Sequence, residues 1–184
     1  MSGIKLAGNT AIVTGGSHGI GRGIALTLAA AGADIAFCHY GDDEGAKATV
    51  ADIEALGRKS YAAECDVSSP TAIKKFYADA VSAIGDIDIL VNNAGHNITE
   101  PFEDISEESF DRMLDVHVKG TFFMTQSAYR DMKRRGKGRI INITSQLAYK
   151  GAPKMAHYCA AKGANTTFTR ALALECGDTG VLVN

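Results

Sequence analysis

Residues 10–21 read Thr-Ala-Ile-Val-Thr-Gly-Gly-Ser-His-Gly-Ile-Gly, an apolar run that passes directly into a glycine-rich turn. The run is typical of a short buried strand, and the apolar segment from Ile24 to Ala31, closed by Gly32, predicts a helix after the turn. Glycines let a backbone approach a pyrophosphate, and a helix N-terminus offers free N–H groups and the positive end of its dipole. The strand and helix on either side therefore favour a phosphate-binding loop over a merely flexible turn.

The same alternation of strand and helix continues along the chain. Further strands are predicted at residues 34–38, 60–65, 87–91, 139–145 and 181–184. Helices are predicted at residues 46–56, 70–84 and 107–135, and from about residue 155 onwards. Such alternation indicates βαβ units. We therefore expect one α/β domain over residues 1–184, a doubly wound parallel sheet with helices on both faces, known as the Rossmann fold.

The composition argues against several classes of function. The 184 residues carry a formal net charge of −2, so no basic surface for nucleic acid is expected. No apolar run approaches the roughly 20 residues that a membrane-spanning helix needs, so no membrane partner is expected. The four cysteines, Cys38, Cys65, Cys159 and Cys176, lack the spacing of metal ligands. They are predicted to be free thiols, which indicates a reducing, cytoplasmic location and no metal site.

A second motif lies in the last third of the chain. Ser145 closes the predicted strand 139–145, and Tyr158 and Lys162 stand four residues apart, on one face of the predicted helix. A phenol has a reference pKa of about 10, and a nearby ammonium favours its ionised form. A serine hydroxyl could hold the reacting oxygen of a substrate, which would complete an acid/base site. Taken alone, the three residues fit a surface Tyr–Lys pair and a turn-capping serine better, but the other motifs favour the acid/base site.

These motifs together resemble those of the short-chain dehydrogenases/reductases, in the single-domain branch of that family. The matching sequences are residues 14–21 (the pattern TGxxxGxG), Asp66-Val67, Asn92-Asn93-Ala94-Gly95, Ser145 and Tyr158-x-x-x-Lys162. They occur in the family's order over nearly the whole chain. The sequence around them is most similar to that of 3-oxoacyl-carrier-protein reductases and of glucose or polyol dehydrogenases.

The resemblance implies a site for a nicotinamide cofactor. The residues that it assigns to cofactor binding are Thr14, Gly15, Ser17, His18, Gly19, Ile20, Gly21, His39, Asp66, Val67, Asn93, Ala94, Gly95, Tyr158 and Lys162. In this assignment the glycines contact the phosphates, Asp66 binds the adenine amino group, and residues 93–95 line the adenine ribose. Lys162 holds the nicotinamide ribose.

The resemblance also implies the reaction. Tyr158 would be the acid/base, Lys162 would favour its ionised form, and Ser145 would fix the carbonyl or carbinol oxygen. The expected function is an NAD(P)-dependent oxidoreductase that transfers a hydride between the cofactor and a small-molecule ketone or secondary alcohol. The alternative is a nucleotide-binding regulator of the same fold without turnover. Such a protein has no need of these three residues together, so they favour the enzyme.

Three positions depart from patterns found in the family. His117 stands where relatives have an Asn that helps to hold a water carrying the proton from the lysine to solvent. Its imidazole either replaces that amide as a further catalytic residue, with activity titrating between about pH 5 and 8, or is a packed histidine; the sequence favours neither. His39 stands where NAD-preferring relatives carry an Asp, and His18 where NADP-preferring relatives often carry Arg. A weak preference for NADP(H) over NAD(H) is expected, although Asp42 and Asp43 lie close by.

Relatives are longer than this chain. They continue past the position of Asn184 with a lid over the substrate, one more helix and a final strand. The domain is therefore expected to lack the lid and to stop before the last strand of the sheet. Relatives are commonly tetramers, so a homotetramer is expected for the full-length protein, built in part from the helices at residues 106–135 and 155–175.

Overall fold

Residues 5–184, which the computed structural model describes, form a parallel sheet of six strands. The strands are β1 (Thr10–Thr14), β2 (Asp34–His39), β3 (Ser60–Glu64), β4 (Ile89–Asn92), β5 (Gly138–Asn142) and β6 (Val181–Val183). They lie in the order β3-β2-β1-β4-β5-β6, and every neighbouring pair is parallel. This confirms the predicted sheet.

Helices connect the strands. They are α1 (Gly19–Ala30), α2 (Asp43–Ala55), α3 (Pro70–Ile84), α4 (Glu107–Leu114), α5 (Gly120–Arg135), α6 (Leu147–Lys150) and α7 (Ala156–Glu175). A 3₁₀ turn covers Phe102–Asp104, and a π-helical segment, Asp115–Lys119, joins α4 directly to α5. Within residues 5–184, no helix combines the length and apolar character needed to cross a membrane.

Apolar side chains cover both faces of the sheet. On one face, Ala29 of α1 and Ile53 of α2 pack against β1 and β2. On the other, Phe76 of α3, Met124 of α5 and Leu172 of α7 belong to a second buried cluster. The helices therefore lie on both faces, as predicted. Near one edge the burial alternates instead, because Arg139 and Ile141 of β5 are exposed.

The order in which strands are added to the sheet reverses at β1. From β1 the sheet grows through β2 and β3 on one side and through β4, β5 and β6 on the other. The connections after β1 and β4 therefore leave the sheet on opposite faces, which opens a crevice between the carboxyl ends of these two strands. The glycine turn after β1 and the Asn93-Ala94-Gly95 sequence after β4 meet at this crevice.

Some predicted boundaries are wrong, for local reasons. Helix α1 begins at Gly19 rather than Ile24, so the end of the glycine turn is already helical. Helix α2 begins at Asp43 rather than residue 46, because the Asp42 side chain accepts a hydrogen bond from the Gly45 N–H at 3.1 Å and caps the helix. The polar residues at this helix start resemble a loop in sequence.

Two further differences affect the site. Strand β5 ends at Asn142, so Ser145 lies in the following connection rather than at the strand end. The predicted helix 107–135 is continuous in direction but contains the π-helical segment Asp115–Lys119. A π-helical segment holds an extra residue and rotates the side chains that follow, so apolar spacing alone could not place His117.

Candidate active site

The turn between β1 and α1 borders a cleft at the carboxyl ends of the strands. Gly15 and Gly19 have φ angles of 69° and 53°, in the region that favours glycine. A Cβ on Gly21 would lie 1.9 Å from the Gly15 carbonyl oxygen, so only glycine fits there. Helix α1 has no side-chain cap and no acidic residue in its first turn. Its first N–H groups are therefore available to an anion.

Thr14 and Asn93 join the ends of β1 and β4. The Thr14 Oγ1 accepts hydrogen bonds from the N–H groups of Asn93 and Ala94, at 3.0 and 2.9 Å. The Asn93 side-chain amide donates to the carbonyl oxygens of Thr14 and Gly15, at 2.9 and 3.3 Å. Thr14 is buried and does not line the cleft. It therefore stabilises the glycine turn from the protein interior, on the side away from the cleft.

The carboxylate of Asp66, after β3, is engaged by protein groups. It accepts hydrogen bonds from the Ser68 N–H at 2.9 Å and from Arg112 Nη1 at 3.0 Å. Burial would raise the pKa of Asp66, but the hydrogen bonds from Ser68 and Arg112 outweigh it and leave that pKa lowered. The Arg112 guanidinium also lies 5.7 Å from the centre of the Tyr40 ring. Tyr40, Asp66 and Arg112 together line part of the cleft.

Two histidines and two carboxylates meet near the end of β2. The exposed His18 places Nδ1 2.9 Å from Asp42 Oδ2, and the buried His39 places Nδ1 3.7 Å from Asp43 Oδ1. The His39 Nδ1 has no hydrogen-bond partner. Hydrogen bonds from Ser17 and His18 hold the pKa of Asp42 below its usual value. Asp42 is therefore an ionised carboxylate. Its oxygens already contact His18 and the first turn of α2.

Tyr158 and Lys162 line the cleft from α7. The Lys162 Nζ donates a hydrogen bond to the Ile143 carbonyl oxygen at 2.8 Å and lies 5.8 Å from the centre of the Tyr158 ring. Lys162 is 5% exposed, and this burial lowers its pKa to about 8. With that pKa most Lys162 side chains stay protonated at pH 7. A buried cation therefore lies next to the phenol.

Ser145 lies just outside the residues that line the cleft, whereas its neighbour Thr144 lines it. The Ser145 Oγ accepts a hydrogen bond from the Leu147 N–H at 3.2 Å. This is the turn-capping contact that the sequence allowed. A hydroxyl that accepts a hydrogen bond keeps its own proton for donation, so the contact orients Oγ without occupying its O–H.

His117 is turned inward by the π-helical segment and is 2% exposed. Its Nε2 lies 2.7 Å from the His96 carbonyl oxygen and 3.2 Å from the His96 backbone nitrogen, and its Nδ1 is buried without a partner. The ring meets Tyr158 edge-on, with the ring centres 5.5 Å apart. Burial, and then the charge of Lys162, lowers the pKa of His117 to about 4. A ring with this pKa is neutral between pH 5 and 8, which argues against the titration that the first of the two hypotheses attached to His117 in that range.

The cleft has a volume of about 530 Å³. All the predicted site residues line it except Thr14 and Ser145. The lining residues that sequence reasoning missed are Cys38, Tyr40, Cys65, His96, Asn97, Arg112, Val116, Ile143 and Thr144. Most of them adjoin predicted residues at strand ends, a position that could have identified them. Arg112 and Val116 reach the cleft from α4 and the π-helical segment, which no local pattern indicates. All four cysteines are free thiols, as predicted.

These residues fit a dinucleotide. The turn offers free N–H groups at the start of α1, and a Cβ on Gly19 would meet nothing within 4 Å, so open space adjoins them. A pyrophosphate suits such a site. Tyr158 and Lys162 supply a phenol and a cation in the same cleft. The described residues hold no group of three or more His, Cys, Asp or Glu side chains suited to a metal ion.

Comparison with known proteins identifies the family. The family model described as short chain dehydrogenase matches residues 9–184. The chain belongs to the short-chain dehydrogenase family. Versicolorin reductase 1 from Aspergillus parasiticus is 40% identical over 181 residues, which cover 98% of this chain and 68% of the relative. The 3-oxoacyl-[acyl-carrier-protein] reductase of Staphylococcus epidermidis is 37% identical over 175 residues, which cover 95% and 72%.

A solved structure agrees with this assignment. The short-chain dehydrogenase from Burkholderia cenocepacia J2315, solved in complex with NADP, superposes on 98% of this chain with a TM-score of 0.92. It is 38% identical in sequence, and 73% of its own chain is covered. This short-chain dehydrogenase is therefore an oxidoreductase with the fold of its relatives, and the predicted family and fold class are confirmed.

Proposed function

We propose that this short-chain dehydrogenase is NAD(P)-dependent and transfers a hydride between the cofactor and a small-molecule ketone or secondary alcohol. One observation carries the proposal: Tyr158 and the buried Lys162 cation share a cleft with a glycine turn suited to a pyrophosphate. The printed names of the relatives, both reductases, and the NADP in the Burkholderia structure support it. When bound, the cofactor would supply or accept the hydride, while the chain binds, orients and moves the proton.

Tyr158 is the proton donor in the direction of reduction and the acceptor in the direction of oxidation. The Lys162 ammonium stabilises the phenolate that remains when the proton leaves. The hydrogen bond to the Ile143 carbonyl keeps the ammonium in place. Ser145 donates a hydrogen bond from its hydroxyl to the substrate oxygen. The Leu147 N–H orients its Oγ. The site thus combines a general acid with a hydrogen-bond donor at the reacting oxygen.

His117 holds a water that carries the proton onward from Lys162. A neutral imidazole has one donor and one acceptor nitrogen. Nε2 pairs with the backbone of His96, either donating to the carbonyl oxygen at 2.7 Å or accepting from the N–H at 3.2 Å. In either tautomer Nδ1 is buried without a protein partner, and buried polar groups normally find water when the protein offers no partner. Nε2 therefore fixes the ring against the His96 backbone, and Nδ1 is left to bind the water.

We expect the enzyme to prefer NADP(H) over NAD(H). Strand β2 ends in His39, so no carboxylate stands there to accept bonds from both ribose hydroxyls. When its ring carries both protons, the exposed His18 can donate from Nδ1 to Asp42 and from Nε2 to a phosphate. Asp42 opposes a phosphate through its charge, but its carboxylate contacts His18 and the first turn of α2. The missing carboxylate at residue 39 and the His18 donor together slightly outweigh the repulsion from Asp42, so NADP(H) is weakly preferred.

A substrate screen tests the proposed function. Ketones are offered with NADPH or NADH, and secondary alcohols with NADP⁺ or NAD⁺, and turnover is followed by the nicotinamide absorbance. We expect turnover of at least one carbonyl substrate and tighter binding of NADP(H). Cofactor binding without turnover of any substrate would point instead to a nucleotide-binding regulator.

A further inference from the structure

Glu100, between β4 and α4, contacts two other parts of the fold. Its backbone N–H donates a hydrogen bond to the Lys154 carbonyl oxygen, just before α7, at 2.9 Å. Its carboxylate accepts a hydrogen bond from the Ser109 hydroxyl on α4. The same carboxylate oxygen lies 3.3 Å from Nε2 of His157, on α7. Glu100 therefore ties the segment after β4 to α4 and to the start of α7.

His157 is an unusual residue to find at this place. It is 1% exposed, and neither ring nitrogen makes a hydrogen bond of good geometry. A buried polar ring without partners is costly, so a nearby carboxylate is a favourable neighbour. Among the described residues, the only carboxylate oxygen within 4 Å of a His157 ring nitrogen belongs to Glu100. His96 and His117 also lie near it, since electrostatic interaction with the His157 ring contributes to the lowered pKa of each.

The start of α7 depends on Glu100 for a second reason. Met155 makes no side-chain cap, and the first turn of α7 contains no acidic residue. The Glu100 carboxylate, beside His157 in that first turn, supplies the negative charge that a helix N-terminus favours. The preceding Lys154 has a φ of 60°, a left-handed conformation that is strained for a residue other than glycine. Its carbonyl is held by the Glu100 N–H.

We propose that Glu100 and His157 form a positioning pair that fixes the orientation of Tyr158. His157 directly precedes Tyr158, so a shift of the first turn of α7 moves the phenol. Glu100 lies a few residues after Gly95 and His96, which line the cleft. The pair therefore fixes the position of Tyr158 relative to Gly95 and His96 in the cleft. This inference rests on the proposed role of Tyr158 as acid/base.

The test uses the chain with the carbonyl substrate found in the screen. Glu100→Ala removes the carboxylate, and His157→Phe fills the buried space without ring nitrogens. We expect each to lower kcat by about 10- to 100-fold, the scale of a misplacement of about 1 Å, with the cofactor Kd changed less than about twofold. The primary isotope effect with deuterated cofactor should rise, because the chemical steps become more limiting. The double variant should lose no more than either single one, since both remove one contact.

Two controls separate the outcomes. Glu103→Gln changes an exposed carboxylate in the neighbouring 3₁₀ turn and should leave kcat unchanged. Thermal unfolding and the stoichiometry of cofactor binding identify variants that misfold. Glu100→Met, which keeps most of the volume but has no acceptor oxygen, replaces Glu100→Ala if that variant misfolds. The proposed positioning role is wrong if kcat is unchanged in correctly folded single variants. It is also wrong if the losses of the two single variants multiply in the double variant. If Tyr158→Phe itself stays active, the proposed function fails, whatever the pair does.

Discussion

His117 and Lys162 are two ionisable side chains held in the protein interior. Burial favours the neutral form of each, and it lowers the pKa of Lys162 to about 8 and, with the Lys162 charge, that of His117 to about 4. At pH 7 the lysine is therefore charged and the histidine neutral. This is the combination that the proposed proton path needs, with a cation beside Tyr158 and a neutral imidazole beyond it.

The pKa of His117 predicts a loss of stability in acid. The unfolded chain binds a proton near pH 6.5 and the folded chain only near pH 4, so stability falls as the pH drops through this window. The loss should be about 2 kcal/mol between pH 7 and 5. His117→Asn should remove this slope and keep turnover, because the amide can hold the same water. Urea unfolding at the two pH values measures the slope.

His117→Leu is the matched control. It also removes the slope, but it offers no polar atom to a water, so its turnover should fall although the protein folds. Equal turnover of the Asn and Leu variants would show that His117 is only a packed residue. A wild-type slope retained in His117→Asn would show that another group is responsible for the acid sensitivity.

At the residue scale, spacing was sufficient for some parts of the site. Tyr158 and Lys162 are four residues apart on one helix, so the sequence predicts that they share a face. Arg112 could not be predicted, because its contact with Asp66 joins residues that are distant in sequence. The environment of His117 also depends on tertiary packing, so its lowered pKa is invisible in the sequence.

The element that matters most to the site is the π-helical segment between α4 and α5. It places His117 against Tyr158 and lets Asn165 of α7 donate a hydrogen bond to the His117 carbonyl oxygen at 2.9 Å. Alternating strands and helices are encoded in local patterns and were predicted correctly. A π-helical segment has no comparable pattern, since it depends on one inserted residue within a helical sequence.

The connection between β2 and α2 should control the choice of cofactor. His39→Asp places a carboxylate at the end of β2, where it would accept bonds from the ribose hydroxyls and repel a 2′-phosphate. We expect the ratio of the Kd values to shift towards NAD(H) by tenfold or more, as about 1.4 kcal/mol of charge interaction would give. His39→Asn is the neutral control. Fluorescence titration of both reduced cofactors measures the ratio, and tighter binding of NADH by the wild type would contradict the predicted preference.

At the scale of the whole molecule, α5 and α7 present an apolar surface. The rings of Phe122 and Phe168 lie 5.1 Å apart, and Phe122 is 43% exposed. On α7, the small side chains of Ala160 and Ala164 are exposed one turn apart. Small residues beside exposed aromatic rings suit close packing of helices across a two-fold axis. Ala161, next to Ala160 on the same helix, is buried and faces the core instead.

We therefore predict that this surface pairs with a second copy of the chain. Phe122→Glu would bury a charge in that interface, so it should shift the protein to monomers. The free energy of unfolding of the monomer, measured at low protein concentration, should fall by no more than about 1 kcal/mol. Phe102→Glu, at an exposed 3₁₀ turn, is the control and should leave the assembly unchanged. Light scattering measures the mass, and an oligomer that persists in Phe122→Glu would place the interface elsewhere.

The turnover of Tyr158→Phe decides whether Tyr158 is the acid/base of an NAD(P)-dependent dehydrogenase. The substitution removes the phenol proton and changes little volume. With Tyr149→Phe as the control for an exposed tyrosine, we expect kcat to fall by about 10²–10⁴-fold while the cofactor Kd stays within about twofold of the wild type. If Tyr158→Phe keeps more than about a tenth of wild-type turnover, Tyr158 is not the acid/base, because a positioned proton donor contributes more than that.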